Sequence, residues 1–373
     1  MGGRLTIFRP GLTRTPAMDP CACPLAPAAA TDLDRRALLR RIGGLGVLAA
    51  VGAARPARAQ EARYLRIATG SAAGTYFPVG ETIARLLSHP PGLPACDPGT
   101  PCGVNGLVAT AETSEGSVAN VGAVAGRAVE TALAQADVVA WAYGASGLFA
   151  GKEPQANLRV IASLYGESMH VVVKAGSGIA KLRDLIGKRV SLDRPGSGTR
   201  GDALMILELA GIKPKQILVQ DLGPSRAAEA LASGEIDAMF FFSGAPSANI
   251  GDIAGAGIAL LPIDGDLREK LLAKGRYFMA GTIPEGAYPG VPATETVNVG
   301  AQWICALEAE DALIYDITKA LFDPVNRAAL DAGHPRAADI TLATAVQGLA
   351  VPLHPGAVRF YREQGITLPA GAT

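Results

Sequence analysis

Short apolar runs alternate with amphipathic segments along the chain from about residue 60 onward. Runs typical of strands occupy residues 64–69, 106–111, 138–143, 159–164, 169–174, 188–192 and 236–242. Segments with apolar residues at helical spacing occupy residues 79–87, 117–126, 181–186, 200–210, 225–232 and 311–322. Strands that alternate with helices are typical of parallel sheets with crossover helices. The pattern therefore predicts an α/β fold, which becomes more helical after residue 263.

Three of the predicted strand-to-helix junctions are rich in glycine and hydroxyl residues, at residues 70–76, 113–117 and 195–199. Glycine lets backbone N–H groups approach a ligand, and the start of a helix favours negative charge. An N-cap, such as Ser114 or Ser117, would explain any one of these turns without a ligand. Three such turns in two parts of the chain fit better with an anion held between two lobes. The turn at residues 70–76 contains neither the P-loop nor the Rossmann motif.

Catalytic motifs are scarce in this sequence. None of the histidines (His89, His170, His334 and His354) is spaced from another as metal ligands usually are, and no G-x-S-x-G nucleophile motif occurs. Surface or structural roles are the more common ones for isolated histidines. We therefore predict a binding protein without catalytic residues, cofactor or metal ion.

Residues 1–59 have the features of an export signal. Arg35 and Arg36 form a twin-arginine pair, and the apolar segment 42–54 follows them. A small-x-small site then predicts cleavage between Ala59 and Gln60, with export to the periplasm. The sequence leaves open whether translation starts at Met1 or at Met18, which is the next methionine.

Removing this leader changes the charge of the protein. The whole chain has 34 basic and 34 acidic residues, and the leader holds nine arginines and three aspartates, so the remainder carries a net charge of −6. An acidic protein has no general attraction to nucleic acid or to an anionic membrane. Later apolar stretches are shorter than the roughly 18 residues of a membrane span. We expect a soluble monomer that binds no nucleic acid.

Cys96 and Cys102 lie in a loop rich in proline and glycine, at residues 90–103. In an oxidising compartment, two cysteines this close predict a disulfide. A metal site is the alternative, but it would need four ligands, and only His89 is near in sequence. Cys305 lies in an apolar run and is expected to be a buried free thiol.

Several segments together indicate a family. They lie at residues 67–78, 113–120, 134–138, 161–165, 185–191, 195–199 and 354–357. Their order and spacing resemble those of the TAXI-type solute-binding subunits of TRAP transporters, which are tripartite ATP-independent periplasmic carriers. The resemblance covers nearly all of residues 64–361.

The resemblance implies a type II periplasmic-binding-protein fold, in which each lobe is a mixed, mostly parallel sheet flanked by helices. Lobe one would combine residues 62–163 with residues 264–373, which include hinge-spanning helices, and lobe two would be residues 164–263. The implied ligand-binding residues are Gly70, Ser71, Gly74, Thr75, Tyr76, Ser114, Ser117, Asn120, Gln135, Tyr165, Ser197, Gly198 and Thr199. Arg200 is the one arginine in these turns, and it could contact the ligand or point to solvent.

The implied ligand is a small anionic organic solute, which would be a glutamate-like amino acid, a dicarboxylate or an oxo acid. The implied partner is the integral membrane subunit of a TRAP transporter. Two alternatives stay open: a sensory module that contacts a sensor kinase, and an enzyme built on the same fold.

Overall fold

The computed structural model of the protein describes residues 61–373. The predicted leader, with Arg35, Arg36 and the cleavage site between Ala59 and Gln60, lies outside the described residues. The export signal therefore stays a prediction.

The described chain alternates strands and helices. The strands are β1 (Arg63–Ala68), β2 (Ser88–His89), β3 (Val104–Asn105), β4 (Leu107–Glu112), β5 (Thr131–Gln135), β6 (Leu158–Lys174), β7 (Arg189–Ser191), β8 (Leu218–Gln220), β9 (Ala238–Ser243), β10 (Ile258–Leu260), β11 (Phe278–Ile283) and β12 (Thr294–Ala306). The helices are α1 (Tyr76–Leu87), α2 (Ser117–Ala125), α3 (Ala136–Tyr143), α4 (Gly198–Leu209), α5 (Pro224–Ser233), α6 (Ala248–Ala254), α7 (Gly265–Leu272), α8 (Asp311–Leu321), α9 (Arg327–Gly333) and α10 (Pro355–Glu363).

Two long strands connect the two ends of the sheet, whose order is β3-β2-β4-β1-β5-β12-β6-β9-β7-β8. Strand β1 pairs in parallel with β4 and β5, and β7 pairs in parallel with β8 and β9. The long strands β6 and β12 are antiparallel to their neighbours. We call the side that holds β1–β5 lobe one and the side that holds β7–β9 lobe two. Strands β6 and β12 are the hinge strands.

The apolar positions that predicted these elements form the core. Trp303 on β12 and Phe240 on β9 are almost completely buried, as is Tyr361 on α10. Helix α5 ends at Gly234, which adopts a left-handed conformation that glycine tolerates best. The predicted fold class, a two-lobed α/β periplasmic-binding-protein fold with mixed sheets flanked by helices, is confirmed. The exact lobe boundaries stay predictions.

Some predicted elements are wrong. Residues 138–143 form helix α3 rather than a strand, and the strand at this place is β5, which precedes them. A short apolar run fits a buried helix as well as a buried strand, so its periodicity could not decide. The two strands predicted at residues 159–164 and 169–174 are one strand, β6. The region after residue 263 contains β11 and β12 and is less helical than predicted.

The structure contains the predicted disulfide between Cys96 and Cys102, and Cys305 is a buried free cysteine. His89 lies nearer to this pair than its sequence position suggested, because its Nδ1 atom is 3.5 Å from Cys96 Sγ. Among residues 61–373, no helix is both long enough and apolar enough to cross a membrane.

Candidate functional site

A cavity of about 410 Å³ lies between the two lobes. Its walls are the first residues of α1, α2 and α4 with the turns before them, and the ends of several strands. The lining residues are Gly70, Ser71, Ala72, Gly74, Thr75, Tyr76, Thr113, Ser114, Glu115, Gly116, Ser117, Gln135, Glu167, Asp193, Arg194, Ser197, Gly198, Thr199, Pro224, Phe241 and Phe242. We call this space the cleft cavity.

Hydrogen bonds cross the cleft from one lobe to the other. They join Thr75 Oγ1 to Ser243 Oγ (2.9 Å), Asn249 Nδ2 to Ala73 O (2.8 Å), Ala119 N to Gly196 O (3.1 Å) and Gln135 Nε2 to Asp202 Oδ2 (2.8 Å). An exposed ion pair, between Arg194 and Glu115 (3.3 Å), also joins the lobes. The two walls are therefore in direct contact, and the structure represents a closed arrangement.

Glycine permits this close contact at two places. A Cβ atom on Gly198 would lie 1.8 Å from Oε1 of Gln135, so a side chain at this position would displace Gln135 from its contact with Asp202 or separate the lobes. Gly116 faces Ser197 across the cleft and has a φ of 114°, which other residues rarely adopt. The predicted glycine-rich turns are thus the surfaces along which the lobes meet.

Four helices begin at the cavity: α1 and α2 from lobe one, and α4 and α5 from lobe two. Helix α5 begins with Pro224, whose nitrogen carries no hydrogen to donate. The first N–H groups of a helix have no partner within the helix, and the helix dipole adds partial positive charge there. Both features favour an anion at these positions. The arrangement supplies donors to an anion from both lobes.

Several hydroxyls at the cavity already accept hydrogen bonds from the backbone. Ser197 Oγ accepts from Arg200 N (3.1 Å) and is the N-cap of α4. Thr199 Oγ1 accepts from Phe242 N (3.1 Å), and Ser117 Oγ accepts from Gln135 N (3.1 Å). Each hydroxyl keeps its own hydrogen, with which it can donate to a ligand or to a neighbouring side chain.

A buried carboxyl group lies in the wall of the cavity. Glu167, on hinge strand β6, is 3% exposed and accepts a hydrogen bond from the Tyr76 hydroxyl (2.7 Å). Burial raises the pKa of Glu167 to about 8, since a charged carboxylate is poorly solvated there. Burial likewise raises the pKa of Tyr76 well above its usual value, so its hydroxyl stays a donor. A cationic group in the cavity would favour ionised Glu167.

A second carboxyl group lies in the lobe-two wall. Asp193 is 7% exposed and has a φ of 71°, a conformation that is strained for a residue with a side chain. Burial raises the pKa of Asp193 to about 6. The lining residues thus include three acids (Glu115, Glu167 and Asp193) and one cation, Arg194, which already pairs with Glu115.

Two further carboxyl groups meet where the lobes touch. Asp137 lies in the first turn of α3 in lobe one, and Asp202 lies in α4 of lobe two. Both side chains are fully buried. Neither oxygen of Asp137 has a hydrogen-bond donor, and one oxygen of Asp202 also lacks one. Burial raises the pKa of both groups, and the neighbouring Asp137 carboxyl raises that of Asp202 further. Such a pair is stable when the two carboxyls share a proton.

The structure brings most of the predicted ligand-binding residues together. Those that line the cleft cavity are Gly70, Ser71, Gly74, Thr75, Tyr76, Ser114, Ser117, Gln135, Ser197, Gly198 and Thr199. Asn120 does not line it, because its amide donates to the carbonyls of Thr69 and Leu133 (both 2.7 Å) inside lobe one. Tyr165 lines a different cavity.

Arg200 also points away from the cleft cavity, because its guanidinium pairs with Asp221 and donates to Asp193 O. The predicted cap at residues 114–117 is wrong in detail, since Gly116 is the N-cap of α2 and no side chain caps this helix.

Sequence reasoning missed Glu167, Asp193, Arg194 and the aromatic wall of Phe241 and Phe242. Glu167 lies within a long apolar strand and has no local motif. The sequence around Asp193 and Arg194 directly precedes the predicted turn at 195–199, so extending that turn by two residues would have included them. A run of three phenylalanines is typical of a buried core strand, and Phe241 is both buried and part of the cavity wall.

Most of this chain matches a known protein family. The sequence pattern of the NMT1-like family matches residues 67–365. The taurine-binding periplasmic protein of Escherichia coli (strain K12) is 35% identical to this chain over 126 residues, which cover 33% of this chain. The matched region spans only 38% of the length of that relative.

Solved structures of binding proteins are also similar to this one. MatC from Rhodopseudomonas palustris, with bound malate, has a TM-score of 0.48 and 13% identity, and the match covers 81% of this chain and 97% of MatC. The alkanesulfonate-binding protein SsuA from Xanthomonas axonopodis pv. citri, bound to MOPS, has a TM-score of 0.43 and 15% identity, with 82% of this chain and 91% of SsuA covered.

Proposed function

Because the chain belongs to the NMT1-like family, whose members are solute-binding proteins and not enzymes, we propose that it is a periplasmic receptor for a small solute. The solute would lie in the cleft cavity and bridge the two lobes. The observation that carries this proposal is the meeting of four helix starts from two lobes around one cavity of about 410 Å³. This volume suits a metabolite of modest size.

The solute is expected to carry an anionic group. The helix starts supply N–H donors from both lobes. The hydroxyl of Ser71 adds a donor on the lobe-one wall, and that of Thr199 adds one on the lobe-two wall. A charge-assisted hydrogen bond contributes about 1.5–3 kcal/mol. Roughly four such bonds, less the cost of ordering the ligand, support micromolar affinity, which corresponds to about −8 kcal/mol.

Of the three solute classes that the sequence suggests, the cavity favours a glutamate-like amino acid. Glu167 is buried, accepts only the Tyr76 hydroxyl, and forms no ion pair among the described residues, although the charge of Arg336 acts to lower its pKa. The ammonium group of an amino acid would provide that cation. A dicarboxylate or an oxo acid would leave the carboxyl without a cationic partner.

The closed receptor would then dock on a membrane partner, which the TAXI resemblance identifies as the integral subunit of a TRAP transporter. Contacts across the cleft, such as that of Gln135 with Asp202, require the lobes to be together. Binding can therefore select the closed form without ATP or a metal ion. The receptor would act as a monomer after export.

A thermal-shift screen of residues 60–373 against amino acids, dicarboxylates, oxo acids and sulfonates tests the proposal, because a ligand of the native state raises the melting temperature. Calorimetry of the best solute in two buffers of different ionisation enthalpy then counts protons. An amino acid should release close to one proton at neutral pH, since Glu167 must ionise. Uptake of a proton, or no change, would exclude pairing of an ammonium with Glu167.

Variants of both walls test whether the solute lies between the lobes. Changing Ser197 and Thr199 to Ala should weaken binding by about 2–4 kcal/mol, and Ser71→Ala by about 1.5 kcal/mol. The exposed Ser146 is the matched control, and Ser146→Ala should leave the affinity unchanged. The lobe-two variant will also melt earlier, because it loses the α4 cap, worth about 1 kcal/mol. Binding that no variant weakens would place the solute elsewhere.

A further inference from the structure

A second cavity, of about 500 Å³, lies against the hinge strands and outside the cleft. Its walls come from β6, from β11 and the two residues before it, from β12, and from the segment that follows α9. The lining residues are Ser163, Leu164, Tyr165, Gly166, Arg276, Tyr277, Met279, Gly300, Arg336, Ala338, Asp339, Thr341, Thr344, Gln347 and Gly348. We call this space the hinge cavity.

The charged residues of the hinge cavity are mainly cationic. Arg276 is exposed at its rim. Arg336 pairs with Asp339 (2.6 Å), which is the one acid of the lining. The guanidinium of Arg276 therefore has no acidic partner among the lining residues, and the cavity carries a net positive charge.

Two buried polar groups at this cavity lack hydrogen-bond partners. Tyr165 is only 5% exposed, and its hydroxyl has no partner. The Nε atom of Arg336 is also buried without a partner, although Nη2 of the same side chain donates to Gly166 O (3.2 Å). Buried polar groups are nearly always hydrogen-bonded. Both atoms lie beneath the cavity surface, so a ligand can accept from them once the two side chains shift towards the cavity.

The remaining wall is apolar. Leu164, Met279 and the ring of Tyr277 face the same space as the two arginines. Tyr277 connects this wall to Trp141. Its hydroxyl accepts a hydrogen bond from Trp141 Nε1 (3.0 Å), and the centroids of the two rings are 6.2 Å apart. A molecule that displaces Tyr277 would change the fluorescence of Trp141.

We propose that the hinge cavity is a second binding site, which takes a small anion with an apolar body, such as an aromatic carboxylate or sulfonate. The acid group accepts from the arginines and from the Tyr165 hydroxyl, and the apolar body packs on Leu164, Tyr277 and Met279. This site is separate from the cleft cavity and takes a different class of ligand, because its charge comes from guanidinium groups.

Titration of residues 60–373 with benzoate and benzenesulfonate tests the proposal, with tryptophan fluorescence and ligand-observed NMR as readouts. Both anions should bind saturably with a Kd in or below the millimolar range. Benzyl alcohol and benzylammonium have the same ring without the negative charge, and they should bind at least about tenfold more weakly. Equal binding of all the compounds, or no saturable binding of the anions, would overturn the proposal.

Two variants locate the site. Arg276→Gln should weaken benzoate binding about tenfold, whereas Lys274→Gln, the same charge change on an exposed neighbour outside the cavity, should leave it unchanged. Tyr165→Phe should also weaken binding, and it should not lower the melting temperature, because its hydroxyl has no partner to lose. If benzoate binds Arg276→Gln and Tyr165→Phe as it binds the wild type, or competes with the solute of the cleft, the hinge cavity is not its site.

Discussion

The cleft cavity and the hinge cavity meet at the same strand but differ in charge. Gly166 lines the hinge cavity and the next residue, Glu167, lines the cleft cavity. The cleft cavity is lined by three acids and one arginine, whereas the hinge cavity is lined by two arginines and one acid. An anion in the cleft must therefore be held by backbone dipoles, and an anion at the hinge by guanidinium groups.

Binding at the two cavities therefore depends differently on closure of the lobes. Backbone N–H donors of the cleft converge only when both lobes are together, so binding there depends on closure. The donors of the hinge cavity include side chains that do not face the cleft, so a change that holds the lobes apart need not affect them directly. Variants that act on closure should therefore separate the two sites.

The largest effect is expected for Gly198→Ala. Its Cβ would lie 1.8 Å from Gln135 Oε1 and 3.2 Å from Ser117 Cβ, so Gln135 must leave its contact with Asp202 or the walls must separate. We expect the affinity for the cleft solute to fall more than about 100-fold, which corresponds to about 2.7 kcal/mol. Calorimetry measures this loss, and small-angle X-ray scattering should show a larger radius of gyration.

Gly122→Ala is the matched control for this variant, because a Cβ at Gly122 in helix α2 would meet no atom within 4 Å. It should bind the solute normally and melt no earlier than the wild type. Benzoate binding at the hinge cavity should survive Gly198→Ala. Normal solute binding by Gly198→Ala would show that the closed contact between Gly198 and Gln135 is not required.

A smaller effect is expected for Asp202→Asn, and it depends on pH. The folded protein raises the pKa values of Asp202, Asp137 and Glu167, the last to about 8. When the pH is below the unfolded pKa values of about 3.9–4.3, the neutral carboxyls contribute all of their stabilisation to the fold. This stabilisation is lost as the pH rises through the folded pKa values. Each proton contributes a slope of about 1.4 kcal/mol per pH unit.

The wild type should thus melt progressively earlier as the pH rises from about 6.5 to 9. At lower pH the buried His170, whose pKa is lowered to about 4, opposes this trend. Asp202→Asn removes one of the paired carboxyls while its amide oxygen can still accept from Gln135, so its melting temperature should fall less. Glu167→Gln should remove a separate part of the slope that extends to about pH 8. Identical pH profiles for Asp202→Asn and the wild type would contradict the shared proton.

The smallest effect is expected for Arg276→Gln on the cleft. This exposed side chain lines only the hinge cavity. Its change should alter stability and solute affinity by no more than about 0.5 kcal/mol, as is usual for surface positions. Calorimetry with the cleft solute provides the test, and a clear loss of affinity would mean that the two cavities are coupled.

Much of the lobe-one and lobe-two walls could be predicted from the sequence, because each wall segment is marked by residues that are close together in the chain. The turns at residues 70–76, 113–117 and 195–199 combine glycine, hydroxyls and a following helical pattern within a few residues. Each of them lies at the cleft cavity in the structure.

The other features of the site could not be predicted, because they depend on contacts between residues that are far apart in the sequence. Asp137 and Asp202 meet only because α3 and α4 face each other across the lobes. Glu167 lies in a strand whose neighbours, β12 and β9, come from much later in the chain, so nothing near it marks a site. Strand β12 itself was missed, although Val297, Val299 and Ala301 alternate with polar or small residues as in a half-buried strand.

The central claim is that the solute lies between the lobes, and a cross-link over the cleft tests it most directly. The hydroxyls of Thr75 and Ser243 are 2.9 Å apart, so Thr75→Cys with Ser243→Cys should form a disulfide in the closed protein. Oxidation in the presence of the solute from the screen should trap it, and mass spectrometry should find one solute per protein after desalting. Protein oxidised without solute should not bind it afterwards, and the single variant Thr75→Cys should release it. Free exchange of the solute with the cross-linked protein would show that the solute does not lie between the lobes.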